Sequence, residues 1–246
     1  MEMTLMIRTL FIIIWIILAT LIFGMFAVLF SFFDNTGNLS HIIARLWAKG
    51  ILFASRIKVN VRGLSHINPS GSFIYMANHQ SNFDIPVLMA CLPVQFRWLA
   101  KAELFDIPFF GYVIRRSGYI SIDRSNPKSA LKSLKKAAEI IKTGTSVCIF
   151  PEGTRSHDGH IGSFKKGGIR LAIDSGVSII PVVIHGTWPI MPKNRLRIRP
   201  GNVTVKILPP VETSAYTRKE AHILQDRIRE IIFDSFESME KVKSVC

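Results

Sequence analysis

Cysteine is almost missing from this chain: three in 246 residues (Cys91, Cys148 and Cys246), with no Cys-x-x-Cys spacing. That excludes a disulfide framework and a cysteine-built zinc site, and it suits a reducing compartment. Acidic residues are scarce as well, 17 against 31 lysines and arginines, for a formal charge of +14. A surplus of that size points to anionic partners: nucleic acid, anionic lipid or a phosphorylated substrate. No Gly-x-Ser-x-Gly elbow, Walker loop or His-Glu-x-x-His occurs, so serine-elbow, P-loop and zincin chemistries are set aside. His157 and His160 form a loop pair without further ligands, and no metal site is expected.

One kind of residue is abundant. From Leu10 to Phe33 the chain runs 24 residues without a charge. As a helix this run is about 36 Å long, against a hydrocarbon core of about 30 Å. A secretory signal would have a shorter apolar region and a small-residue cleavage site, which Ser31-Phe32-Phe33-Asp34 does not offer. The expected partner is therefore membrane lipid, not nucleic acid. Arg8 precedes the run, while Arg45, Lys49, Arg56, Lys58 and Arg62 follow it. If the run spans, this bias places the rest of the chain on the cytoplasmic face. A rival geometry exists. Residues 38–59 carry a helical apolar stripe, with a turn at residues 34–38, so two helices could lie within one leaflet.

After residue 60, strand-like and helix-like segments alternate. Residues 58–62, 72–77, 97–100, 119–122, 146–150 and 178–184 read as strands, and 83–92, 127–142 and 165–175 as helices. Residues 195–199 and 203–208, around Pro200-Gly201, read as a hairpin, and 217–241 as a closing amphipathic helix. The fold class is α/β: a mixed, largely parallel sheet flanked by helices, with an N-terminal membrane-associated two-helix segment. Residues 1–60 are the expected anchoring helices and 61–246 the catalytic domain.

Several constellations carry chemistry. His79 and Asp84 stand five apart, between the apolar run ending at Ala77 and the one starting at Ile85. Asp84 fits two roles: completing a Ser-x-x-Asp capping box from Ser81, or fixing the tautomer of His79 so that its other nitrogen can take a proton. Phe150-Pro-Glu-Gly-Thr-Arg-Ser156 directly follows a strand, where open α/β sheets bind ligands, and Arg155 suits bidentate phosphate capture. Gly118-Tyr-Ile-Ser-Ile-Asp-Arg124 is a strand ending in charge, preceded by Lys101. Ser163-Phe-Lys165-Lys166-Gly167-Gly168 opens a helix and reads as an anion site or a solvated basic start. Pro181 inside a buried strand is expected at an edge or bulge. Lys128, Lys132, Lys135 and Lys136 share a helix face and read as a membrane-facing patch or a solvated face, the former favoured by the anchor. Arg195, Arg197 and Arg199 share one strand face.

The His79-x4-Asp84, Gly118–Arg124, Phe150–Ser156 and Ile180-Pro181-Val-Val blocks, in this order and spacing, resemble those of glycerolipid acyltransferases, specifically bacterial 1-acyl-sn-glycerol-3-phosphate acyltransferases. The resemblance covers about residues 40–210. It implies His79 and Asp84 as a catalytic dyad, and Lys101, Arg124, Glu152, Gly153, Thr154 and Arg155 as substrate-binding residues. It also implies direct attack of the sn-2 hydroxyl of lysophosphatidic acid on an acyl thioester, giving phosphatidic acid without an acyl-enzyme. No cofactor is implied beyond that co-substrate, carried on coenzyme A or acyl carrier protein. The partners implied are a lysophospholipid acceptor and an acyl donor. The alternatives are another acceptor, such as glycerol 3-phosphate or a larger lysophospholipid, a thioesterase, or a non-enzymatic membrane adaptor.

Overall fold

The computed structural model describes residues 2–123 and 127–244. Two helices come first, α1 (Glu2–Phe30) and α2 (Asn38–Ala54). Asp34 ties the turn between them, its carboxylate accepting the N–H groups of Thr36 at 2.8 Å and Leu39 at 2.7 Å. Gly37 holds a φ of 77° there, with its Cα so close to the Ser117 carbonyl that a Cβ would lie 2.8 Å from the oxygen, which only glycine tolerates. The alternation then follows: β1 (Ile57–Arg62), β2 (Ile74–Ala77), α3 (Asp84–Cys91), β3 (Phe96–Lys101), α4 (Phe110–Arg116) and β4 (Ile120–Ile122). The chain closes with α5 (Pro127–Lys142), β5 (Ser146–Ile149), α6 (Lys166–Ser175), β6 (Ile179–His185), β7 (Gly201–Ile207) and α7 (Ala221–Ser244).

The strands form one seven-stranded sheet in the order β1-β7-β6-β2-β5-β3-β4. Every pairing is parallel except β6 with β7. Because side chains alternate along a strand, both faces are buried. Tyr75, Cys148, Val182 and Val205 point into one core with Val87 and Leu88 of α3 and Ile51 of α2. Ile74, Val147, Ile149 and Val183 point into the other, with Ile141 of α5, Leu171 of α6 and Leu224 of α7. The result is three layers, with α1 to α3 on one face and α5 to α7 on the other.

Helix α1 belongs to the first core along one stripe only. Ile12, Ala19 and Ala27 are buried, whereas Phe11, Leu18 and Met25 are exposed. The helix is held to the body from end to end. Arg8 donates to the Ser55 carbonyl at 2.6 Å, the Trp47 indole donates to Thr20 Oγ1 at 3.1 Å, and Arg116 donates to the Ser31 carbonyl at 2.9 Å.

The structure differs from the sequence reading, or goes beyond it, at several places. Residues 195–199 form no strand, because β7 already has β1 on one side and β6 on the other, leaving no edge for a hairpin partner. The mixed sheet arises from β7 running against β6 instead. Pro181 sits in a central strand, not at an edge. Its carbonyl accepts the Leu208 N–H at 3.0 Å, and beyond it antiparallel pairing resumes at Ile179–Val211, one residue out of register with Val182–Ile207, so Pro181 stands at a bulge, the other place expected for it. The short helix α4 has no counterpart in the sequence reading. The α5 lysines lie on the sheet face opposite α1 and α2, so they do not extend the face that those helices present.

Candidate active site

The topology places a crevice at one end of the sheet. Strands β2, β5 and β3 are parallel neighbours, so their carboxyl ends lie side by side. The helix after β2 packs into one core and the helix after β5 into the other. Chains departing to opposite faces leave a gap between the two strand ends, which is where open α/β sheets hold ligands. His79 follows β2, Phe150–Arg155 follows β5, and Lys101 ends β3.

His79 Nδ1 lies 2.8 Å from Asp84 Oδ2; the ring is nearly buried and the carboxylate fully so. The same oxygen accepts the backbone N–H of Gln80 at 2.7 Å and of Ser81 at 2.8 Å. Helix α3 is regular from Asp84, and the turn before it closes as the expected Ser-x-x-Asp box: the Ser81 hydroxyl accepts the Phe83 N–H at 3.2 Å while Asp84 accepts the Ser81 N–H. Asp84 thus fills both roles read from the sequence, gathering the loop's N–H groups and the imidazole on one oxygen, which fixes Nδ1 as the donor. Phe150 stacks on the imidazole at 3.8 Å between centroids, tilted 9°, and Trp98 stacks behind Phe150. With Nδ1 engaged, Nε2 is the nitrogen left for the cavity that His79 lines.

The strand and loop beneath this pair are tightly bonded. Asn78 is buried and bridges to β6, donating to the Ile184 carbonyl at 2.8 Å and accepting its N–H at 2.7 Å. Glu152 is buried too. Its carboxylate accepts the His79 N–H at 2.7 Å on one oxygen and the Gly162 N–H at 3.1 Å on the other. Burial pushes this carboxyl above its usual range, against the pull of those two N–H groups. In return, the Ser156 N–H donates to the His79 carbonyl at 2.8 Å.

His79, Lys101, Gly153, Thr154 and Arg155 line one open cavity of about 470 Å³. Lys101 pairs with Glu103 at 2.7 Å on the exposed rim. Gly153 turns the loop with a φ of 73°. The cavity shares Ile85, Trp98, Phe110, Ile114 and Tyr119 with an apolar pocket of about 100 Å³, which reaches Thr20, Gly24 and Ala27 of α1. Arg124 lies outside the described residues. Lys165, Gly167 and Gly168 line a neighbouring cavity on the far side of Phe150 and Gly153. Among the described residues, no group of three or more His, Cys, Asp and Glu could hold a metal ion.

Several contributors were not legible in the sequence. Asn78 and Phe150 stood inside the motifs without an assigned role, because their partners are distant in the chain. Lys193 had no motif at all. Its ammonium reaches Thr154 Oγ1 at 3.0 Å, the Arg155 carbonyl at 3.1 Å and His157 Nε2 at 2.7 Å, bracing the loop that carries Arg155.

Residues 58–185 match the model of the acyltransferase family, and the chain belongs to that family. The chain is 37% identical over 199 residues to the chloroplastic 1-acyl-sn-glycerol-3-phosphate acyltransferase LPAT1 of Arabidopsis thaliana, covering 80% of this chain and 54% of the plant protein. It is 34% identical to the human 1-acyl-sn-glycerol-3-phosphate acyltransferase alpha, covering 79% of this chain and 69% of the human one. The chain thus spans little more than half the length of the plant relative. Among solved structures, PlsC, the 1-acyl-sn-glycerophosphate (LPA) acyltransferase of Thermotoga maritima, superimposes with a TM-score of 0.82. That match covers 97% of both chains at 29% identity.

Proposed function

We propose that the chain transfers an acyl group from a thioester to the sn-2 hydroxyl of 1-acyl-sn-glycerol 3-phosphate, forming phosphatidic acid. The observation that carries this reading is one cavity holding three things together: the free nitrogen of His79, the cations Lys101 and Arg155, and an apolar extension toward α1. A phosphate, a hydroxyl and an acyl chain are the chemistry that such a cavity fits.

His79 Nε2 removes the proton of the acceptor hydroxyl, and the oxygen attacks the thioester carbonyl. The tetrahedral intermediate expels the thiolate, which takes the proton back from the imidazolium. Asp84 holds the ring and balances its charge. Arg155, with Lys101, binds the acceptor phosphate. Gly153 and Thr154 shape the phosphate loop. Glu152 acts by positioning the His79 backbone, since both of its oxygens are bonded within the protein. The donor is acyl-coenzyme A or acylated carrier protein.

Helix α1 supports a membrane-surface setting. Its 28 residues Met3–Phe30 are long and apolar enough to cross a bilayer, yet its hydrogen bonds to the body at both ends and at mid-length hold it lengthwise against the domain. Such a helix docks into one leaflet, with its exposed side among the acyl chains. The basic surplus that follows the apolar run supports docking at an anionic leaflet, such as that of a cytoplasmic face.

The test is thiol release by the detergent-solubilised chain with acyl-coenzyme A, with and without 1-acylglycerol 3-phosphate and with glycerol 3-phosphate as a comparison acceptor. Release that requires the lysophospholipid and falls about 10²–10⁴-fold in His79→Ala is expected. Release without acceptor would make the chain a hydrolase, and preference for glycerol 3-phosphate would overturn the acceptor assignment.

A further inference from the structure

The segment 192–200 is joined to two parts of the molecule that the mechanism treats separately. At one end, Lys193 bonds Thr154, Arg155 and His157 of the phosphate loop at 2.7–3.1 Å. At the other, Ile198 is 1% exposed and its N–H donates to Thr9 Oγ1 of α1 at 3.1 Å. Between these bolts the tip projects. Leu196 is 73% exposed, and Arg195, Arg197 and Arg199 are exposed around it.

A leucine held in water among three arginines serves no core and no strand pairing. Its chemistry matches the head-group zone of a bilayer, where an apolar side chain enters the acyl boundary and guanidinium groups take phosphates. The position agrees. Through Thr9 the tip adjoins the first turns of α1, where Met6, Leu10 and Phe11 are exposed at 60–64%, so the two surfaces are continuous. An acidic protein surface would match the arginines but leave the leucine unexplained.

We infer that residues 195–199 form a second membrane contact, one that selects anionic lipid and seats the phosphate loop at a negatively charged surface. This rests on the reading that α1 docks in a bilayer. The two contacts differ in kind: α1 responds to apolar burial on any bilayer, the tip to surface charge. Each arginine near an anionic surface is worth ~1 kcal/mol, or about fivefold in partitioning at low salt.

The experiment measures flotation of the full chain with phosphatidylcholine vesicles, with and without phosphatidylglycerol, together with turnover in neutral detergent micelles. The parent chain is expected to bind both vesicles and to prefer the anionic ones. The triple variant Arg195→Gln, Arg197→Gln, Arg199→Gln should lose that preference by about 10²-fold at low salt, keeping its binding to neutral vesicles and its micellar turnover. The corresponding triple Arg→Lys variant should retain the preference, which separates charge from folding. An unchanged preference in the Gln variant, or its loss in the Lys variant as well, would overturn the inference. A parent that binds both vesicle types equally would also overturn it while leaving the α1 docking intact; no binding to either would sink both. A defect confined to turnover with a carrier-protein thioester would overturn it in favour of an acidic protein donor.

Discussion

Replacing Asp84 with Asn isolates the charge of the dyad from its geometry. Oδ2 of Asp84 accepts three hydrogen bonds, from the His79 ring and the Gln80 and Ser81 backbones, at 2.7–2.8 Å. An amide in the same rotamer keeps an oxygen for all three donors, so the loop and the ring stay in place. Its NH2 group then occupies the site of Oδ1, which is buried without a hydrogen-bond partner, and an unpaired buried donor costs ~1–3 kcal/mol of stability. The catalytic loss is larger and separate. Imidazolium and carboxylate charge centres about 4 Å apart attract by ~4 kcal/mol at an effective dielectric near 20, which corresponds to about 10³ in kcat if the proton is fully transferred. Asp84 does not line the cavity, so the acceptor KM should hardly move. Steady-state thiol release against acceptor concentration, paired with a thermal unfolding curve, reads both quantities. A kcat within about fivefold of the parent, or a raised KM at unchanged kcat, would refute the role given to Asp84.

Three further substitutions probe the surroundings. In Glu152→Gln the amide must turn its NH2 toward one of the two backbone N–H groups now bonded, so kcat and stability should fall, the latter by ~1–3 kcal/mol. The acceptor KM should stay; a raised KM with intact kcat would return Glu152 to the phosphate site. Gly24→Phe should shift the preferred acyl chain to shorter lengths in competition assays. A Cβ there would already meet Phe109 and Val113 at 2.9–3.2 Å, at the wall of the apolar pocket, and an unchanged chain-length profile would count against the pocket as an acyl site. His41, buried in α2, is held neutral: desolvation, with Arg97 and Arg45 nearby, lowers its pKa to about 3. The unfolded chain titrates near 6.5, so between these values the unfolded state binds the extra proton. This contribution is whole above about pH 6.5 and is lost as pH falls toward 3, by at most ~1.4 kcal/mol per unit. Urea midpoints measured across that window should show a flatter pH dependence in His41→Phe, and an equal slope would refute the assignment.

Legibility in the sequence followed the range of the interactions. The strands were readable because Ile74-Tyr75-Met76-Ala77 and Val147-Cys148-Ile149 are buried on both faces, and continuous apolar runs mark such strands. His79 and Asp84 were readable because their partnership closes within five residues, and in the structure they bond directly. What escaped depends on contacts across the chain. Asn78 reaches Ile184, Glu152 reaches His79, and Lys193 reaches Thr154, pairs that no local pattern announces. Helix α4 has only seven residues and starts after Phe109, whose φ is 61°, so neither periodicity nor residue type signals it. The alternation of residues 195–199 was real, but a strand also needs a free edge, and edges are a property of the whole sheet.

The same dependence on distant contacts explains why the apolar N-terminal helix and the reaction site work as one structure. Ile12 of α1 and Ala48, Ile51 and Leu52 of α2 pack into the core that holds α3, the helix whose first residue orients His79. Thr20, Gly24 and Ala27 of α1 line the apolar pocket that continues from the catalytic cavity. A helix that only tethered the protein would need neither arrangement. With both, the exposed apolar side of α1 and the side that walls the pocket are two faces of one element. On the proposed reading, a lysophospholipid leaving a bilayer beside α1 approaches His79 along this apolar surface with its phosphate toward Arg155 and Lys101 at the rim.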